Sequence, residues 1–419
     1  MKISVFDIDA TPPVGSLLAY DQMESKWAMG LRAKGLVLTG AGDPVVLCAI
    51  DWIGIANESQ DVFKKTLADA VRTVPERVAV HTLHQHDAPR CDFSVEKMRK
   101  ETGIALESYD GAFTREFLPR LGKAAEDSLN VMRPVTHIST GKAQVYEVAS
   151  NRRIIKDGKV VATRYSSCAD AALRSEPEGL IDPDVTLVAF WDEDAPVAVL
   201  TFYATHPQSY YRTKIANPDF PGIARFYRQL AIPDALHIHF NGAGGNIAAG
   251  KYNDGSPENR MILARRLADG MERAWKSSTK IPVTAGEVFW KMAPVSLPVS
   301  DALVKKIETR SGTPEFIPDS VTLWAKRTLS GKTIDIACLS IGKARILFAP
   351  GELFVEYQLA TKALRPDLDV SIAAYGDYGP SYIGTREAYG QGGYEIESSP
   401  ENSDVEDVLL NAFRKLLNN

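Results

Sequence analysis

The chain has 419 residues, with 48 Lys and Arg against 53 Asp and Glu, for a formal net charge of −5. At 45% hydrophobic and 24% charged residues it can bury a large core, which excludes disorder as its main state. The acidic balance lacks the basic excess of a nucleic-acid-binding surface, no apolar run reaches the ~18 residues of a membrane span, and the opening MKISVFDIDATPPVG lacks the apolar region of an export signal. The compartment stays open: a chain whose leader had been removed would be periplasmic or secreted.

In chain order, runs rich in Val, Ile and aromatics at 46–52, 77–83, 185–191, 197–205, 236–240, 333–339, 344–348 and 370–374 read as strands. Several are too continuously apolar for a sheet with one wet face. Between them, Phe63, Leu67, Ala70 and Val71 share one helical face, and Ala264, Leu267, Met271 and Ala274 share another. Lys156-Asp157-Gly158-Lys159 reads as a turn, and the polar, Pro-containing stretch 311–319 as a candidate subdomain boundary. Gly342-Lys343 joins two strands as a hairpin, which makes the sheet mixed. In the last helix, Ser403 and Glu406 form a capping box ahead of Val405, Val408, Leu409, Ala412, Phe413, Leu416 and Leu417. The pattern predicts a single α/β domain over residues 1–419, a mixed β-sheet core flanked by helices. Cys48, Cys91, Cys168 and Cys338, with no CxxC pair, read as buried reduced thiols.

Seven histidines carry the chemical signal. Three fall in His81-Thr82-Leu83-His84-Gln85-His86-Asp87-Ala88-Pro89, directly after the strand-like RVAV. In an extended chain side chains alternate, so His84 and His86 face one way and His81 the other. Two imidazoles on one face can hold a divalent metal, or one can ligate while the other moves protons; strand-end histidines bonded to backbone are the plain alternative. Three more segments lie just past strand ends, where α/β folds place their sites: His206 in YATHP, Glu352 in FAPGE, and the aromatic, glycine-rich stretch 375–394. Two neutral imidazoles and a carboxylate make an ordinary zinc shell with a position left for water. His237 and His239, inside the apolar LHIHF run, read as core or supporting residues, as does His137 in VTHIS. Asn241-Gly242-Ala243-Gly244-Gly245-Asn246 shows no following helix start or GK[ST], so it reads as a close-approach loop lining a site rather than a phosphate cradle. There is no G-x-S-x-G elbow.

The order LHQHDAP, NRR, YATHPQS, NPDFPG, FNGAGGN, APGELF and YIGTREAYGQGGYE resembles the neutral/alkaline non-lysosomal ceramidase family, from DATPPVG to GGYE. The resemblance implies that family's catalytic-domain fold and a zinc-dependent amide hydrolase, in which two His, one Glu and one Tyr hold one zinc. By this correspondence His84 and His86 are the two histidines of the family's HTHSGP pattern. His206 falls on its strand-end HP motif, Glu352 on its PGE motif, and Arg152 on its active-site Arg. Tyr382 matches the tyrosine of its Y-x-T-T-x-E-x-Y segment, with Tyr378 as the other register. Where the family reads GDVSPN, this chain reads Gly245-Asn246-Ile247-Ala248-Ala249-Gly250. Ala248 thus stands for the serine sometimes assigned as nucleophile and Asn246 for the acidic residue, which predicts a pocket of different polarity. On this correspondence the sequence ends soon after the catalytic region, and the expectation is a homologue without the family's C-terminal immunoglobulin-like domain. Both departures point away from ceramide and toward a smaller, more soluble substrate.

The implied site is one zinc per chain on His84, His206 and Glu352 with Tyr382. His86 would handle protons, Tyr382 would ligate or donate to the developing oxyanion, and Arg152 would orient a polar or anionic part of the substrate. The substrate would be a small N-acyl compound, lipids included; acyl chain, amine and oligomeric state stay open. Two other readings stand beside this one. The first is a binuclear metal hydrolase using His84, His86, His206 and the His237/His239 pair. The second is a non-catalytic lipid- or carbohydrate-binding relative whose metal is structural or lost.

Overall fold

The computed structural model describes residues 1–418 apart from Ala28, Gly312, Pro314 and Glu315. Its longer strands divide among three sheets rather than one. The first has the spatial order Val78–Thr82, Val45–Ile50, Arg32–Thr39, Lys2–Asp9, Arg133–Pro134. The second runs Leu236–Asn241, Ala195–Tyr203, Asp184–Asp192, His137–Gln144, Thr279–Pro282. The third runs Val288–Val295, Ile334–Ile341, Ala344–Phe348, Asp369–Ala373. Every apolar run read as a strand is one. Lys2–Asp9 and Arg32–Thr39 are strands that no apolar run marks, because charged residues interrupt KISVFDID and RAKGLVLT, and pairing with neighbours decides them.

Each sheet is antiparallel except for one parallel pair. The pairs are Val45–Ile50 with Val78–Thr82, Ala195–Tyr203 with Leu236–Asn241, and Ala344–Phe348 with Asp369–Ala373. Parallel neighbours need a crossover, and each pair has a helix in it: Glu58–Val71, Asp219–Ala231 and Val355–Leu364. The molecule therefore contains three strand–helix–strand units.

The inner faces of the three sheets share one core, with Leu36 and Leu47 from the first, Leu200 and Phe240 from the second, and Leu339 and Phe348 from the third. Helices cover every outer face. Phe63, Leu67, Phe117 and Leu121 back the first sheet; Ile223, Leu263 and Leu267 the second; Tyr357, Leu409 and Phe413 the third. Cover on both faces explains the continuously apolar strands.

Local signals hold in most places. The hairpin at Gly342 forms, with φ +53° at the glycine. The turn at Asp157-Gly158 has φ +51° and +70°, the left-handed pair of a tight hairpin, and it closes Arg153–Lys156 on Lys159–Thr163. Ala264, Leu267, Met271 and Ala274 are buried, as are Phe63, Leu67 and Val71, with Ala70 half-buried. The last helix spans Val405–Leu417, but its capping box does not form. Asp404 occupies the N-cap, and the Glu406 carboxylate instead accepts the Arg386 N–H at 2.5 Å, tying this helix to Arg386–Gln391. The candidate boundary at 311–319 lies partly outside the described residues; at its end Asp319 caps the helix Ser320–Leu329 through the Thr322 N–H. All four cysteines are free and buried. No helix among the described residues is long and apolar enough to cross a membrane.

Candidate metal centre

The second strands of the three parallel pairs are stitched together at their C-terminal ends. Thr82 N–H donates to Tyr375 O at 3.0 Å, Ala374 N–H to Asn241 O at 2.9 Å, and Asn241 Nδ2 to Leu83 O at 2.6 Å. The loops leaving these ends, and those leaving the first strands of the second and third pairs, carry the chemistry. They bring His84, His86, His206, Glu352, Tyr375, Tyr378 and Tyr382 together from segments far apart in sequence.

His84 and His86 do face the same centre, though not through an extended backbone. The strand ends at Thr82, and His84 sits in the left-handed region at φ +65°, held by its N–H to Trp52 O at 2.9 Å. The ligating atoms of His84, His86 and His206 lie within 4.8 Å of one another. His84 Nδ1 is 2.6 Å from Ile53 O, and His206 Nδ1 is 3.2 Å from Gly244 O. A ring nitrogen facing a carbonyl at such a distance carries the hydrogen, so each Nε2 presents a lone pair. Those Nε2 atoms lie 3.3 and 3.7 Å from Glu352 Oε2. The other carboxylate oxygen accepts the Tyr378 hydroxyl at 2.8 Å, whereas Oε2 has no hydrogen-bond partner.

Three acceptors thus face each other in a buried space, with His84, His206 and Glu352 each 2% exposed or less. Such a set repels itself unless a cation or proton sits among the atoms. Burial, with the neighbouring His84 and His86 rings and the Arg152 charge, pushes the His206 pKa well below the usual imidazole value and disfavours the proton. Two imidazoles with their outer nitrogens tied to backbone and one carboxylate fit a divalent ion such as zinc.

His86 differs from the other two. Neither of its ring nitrogens has a hydrogen-bond partner. Its ring is stacked at 5.6 Å on Tyr20 and meets Tyr211 edge-on at 5.4 Å. Burial first, then the neighbouring His84 ring and the charges of Arg152 and Arg90, hold its pKa well below the usual value, so it is a neutral base with an uncommitted lone pair.

Arg152 Nη1 donates to the Tyr382 hydroxyl at 3.2 Å and to Gly245 O at 3.3 Å, and its Nε is 3.4 Å from the Glu395 carboxylate. Burial opposes its charge, but Tyr382, Glu395 and Glu352 more than offset this, so its pKa lies above the usual value. The Tyr382 oxygen accepts from Arg152, which leaves its own proton free to be donated. Burial holds Tyr375, Tyr378 and Tyr382 as neutral phenols, their pKa values raised well above 10. Tyr382 pairs with Glu352 along the backbone in a short parallel bridge and stacks on His206 at 6.5 Å; Tyr378 is the tyrosine whose hydroxyl bonds the Glu352 carboxylate.

The glycine-rich loop lines the centre as read. A Cβ on Gly245 would meet Glu352 O at 2.3 Å, and one on Gly244 would meet Thr205 backbone at 2.9 Å. Ala248 is buried and paired with Ser150 across a two-residue bridge. Asn246, expected to change the pocket's polarity, is turned away from it: its Oδ1 accepts Val355 N–H at 2.9 Å at the start of Val355–Leu364, and its Nδ2 donates to Glu356 at 2.8 Å. His81 faces elsewhere, bonded through Nδ1 to Ala374 O at 2.7 Å. His237 and His239 are buried in the second sheet and take no part in the cluster of three histidines, which removes the ligands a binuclear centre would need. His137 is half-buried at the start of its strand and bonds Thr136.

Tyr20, Arg90, Tyr211 and Glu395 also belong to the surroundings of the site. Only Arg90, next to HQHDAP, and Glu395, in GGYE, carried any local signal.

A crystal structure of neutral ceramidase from Pseudomonas aeruginosa superimposes with a TM-score of 0.71 over 99% of this chain and 73% of that one, at 16% identity. This chain has the neutral ceramidase fold. A second ceramidase structure, complexed with C2, gives a TM-score of 0.69 over 99% of this chain and 74% of that one, at 15% identity. No family model matches the sequence, and no curated protein matches it significantly. The neutral ceramidase fold is thus carried by a sequence only 15–16% identical to those of the two ceramidase structures.

Proposed function

We propose that the chain is a zinc-dependent hydrolase of an amide (N-acyl) bond, ceramidase-like in chemistry, with one zinc per chain held by His84, His206 and Glu352 and with Tyr382 beside it. The observation that carries this reading is the buried convergence of two lone-pair nitrogens on an unpartnered carboxylate oxygen, next to a third histidine whose ring nitrogens have no hydrogen-bond partner. The likeness to ceramidase structures supports the choice of an amide bond. When bound, zinc supplies Lewis acidity toward a carbonyl and makes water acidic near neutral pH.

The protein's own groups do the rest. His86, neutral and unpartnered, takes a proton from the attacking water and delivers it to the leaving nitrogen as the C–N bond breaks. Tyr382 donates its free proton to the oxygen on which negative charge develops, held in place by Arg152. Water adds directly, because the Ala248 methyl can neither attack nor carry an acyl group. Arg152, buried and always charged, orients a polar part of the substrate.

Metal analysis of the purified chain, with hydrolysis of a panel of N-acyl compounds, tests the reading. One zinc per chain and amide turnover abolished by chelation are expected. A metal-loaded chain inert toward every amide would leave the non-catalytic alternative.

A further inference from the structure

Glu395 is shared by two guanidiniums, Arg152 at 3.4 Å and Arg153 at 3.3 Å, and Glu352 is committed to the centre. Arg90 stands apart, with no carboxylate within ion-pair distance among the described residues. Its one hydrogen bond is to the Tyr109 hydroxyl at 3.3 Å, and its Nε is buried without a partner. The guanidinium lies over Tyr109 at 5.4 Å and Tyr20 at 5.9 Å, and Tyr20 is the ring stacked on His86.

Arg90 also lines a cavity of about 190 Å³ with Gly54, Tyr109, Ser381 and Tyr378, the tyrosine whose hydroxyl holds Glu352. The only carboxylate on that wall, Asp319, caps a helix. A second guanidinium, Arg212, crosses Tyr20 at 5.4 Å, on a loop held by Asp87 through the Arg212 and Thr213 N–H groups. Tyr20, the ring stacked on His86, is thus flanked by two guanidiniums, and neither is in an ion pair with a carboxylate among the described residues. Such an arrangement recognises a flat anion, and an Arg fork suits a carboxylate best.

Resting on the amide-hydrolase reading, we propose that the substrate carries a carboxylate beside its amide, seated by Arg90, so that the preferred class is N-acyl amino acids rather than neutral N-acyl amines. The test is calorimetric binding of N-lauroylglycine and of its neutral counterpart N-lauroylethanolamine to the zinc-loaded His86→Asn variant, which holds the ligand uncleaved. N-lauroylglycine should bind roughly 10-fold tighter or more, as one charge-assisted hydrogen-bond pair gives. Adding Arg90→Gln should erase that preference while leaving the ethanolamide affinity unchanged. Arg212→Gln, on an exposed loop, should reduce it more weakly and serves if Arg90→Gln fails to fold. Equal binding of the two ligands, binding of neither, or equal weakening of both by Arg90→Gln overturns the proposal. Amide turnover by the wild type is scored separately: hydrolysis without preference sinks only the carboxylate site, and preference without hydrolysis sinks only the amide chemistry.

Discussion

The chain contains two His-x-His pairs, each carried by the second strand of a parallel pair, and the fold gives them opposite fates. His84 and His86 come after the strand has ended, where a left-handed residue turns both rings into a space shared with His206 and Glu352. His237 and His239 lie within their strand, buried in the second sheet, with His239 bonded to Thr201 at 2.9 Å. Position relative to the strand end, and not the motif, separates a pair that joins the histidine cluster from a packed one. Backbone carbonyls past the strand end can orient an imidazole, and loops from other units can reach it; inside the strand both are spent on the ladder.

The sharpest way to break this contrast is to remove one ligand from each side. His206→Ala should lose both zinc and all measurable turnover, since the remaining donors form an underdentate set, whereas His237→Gln should keep full metal content by elemental analysis. Full metal in His206→Ala would overturn the assignment. Next in size, His86→Asn should retain zinc while turnover falls roughly 10²–10⁴-fold, the ordinary worth of acid–base catalysis. Zinc loss in that variant would make His86 a ligand and erase its difference from His84.

The packed pair should show itself through pH. Burial holds His237 and His239 at a pKa of about 3, with Arg228, Lys34 and Arg225 adding to it at His237 and Arg225 at His239. Between pH ~6.5 and ~3 the unfolded chain binds protons that the folded chain refuses, so stability present at neutral pH is lost as pH falls. Each histidine contributes at most about 1.4 kcal/mol per pH unit in that window. Urea midpoints at pH 7.5, 6 and 5 should therefore fall less steeply in His239→Gln than in wild type; parallel lines would mean that His239 titrates normally. The smallest effect expected is at Ala248. Ala248→Ser should leave the rate essentially unchanged and yield no trapped acyl-enzyme by mass spectrometry, because in the proposed mechanism water is the nucleophile.

Much of this was legible before any fold was known. Strand-end placement marked His84, His86, His206 and Glu352, and LHIHF marked its histidines as core. The alternation argument grouped His84 with His86 through an extended backbone that the structure lacks, φ at His84 being +65°. The Ser403/Glu406 box was a sound local signal that lost to a contact across the chain, because the Arg386 N–H claims Glu406. Tyr20 and Tyr211 were invisible: nothing near either in sequence distinguishes a tyrosine that packs on a histidine of the cluster from one that covers a surface.

By itself the sequence determined what depends on neighbours along the chain: the apolar runs, the helical faces, the hairpin glycines, and which histidines follow a strand. Tertiary structure alone decided that the strands form three sheets around one core, that the ends of three parallel pairs meet, and that the Tyr378 hydroxyl rather than that of Tyr382 bonds the Glu352 carboxylate while Tyr382 takes Arg152. The reason is one of range. Periodicity and capping act over a few residues, whereas the centre is closed by contacts such as His84 to Glu352 and Arg152 to Tyr382, between segments that come together only once each sheet has found its partners.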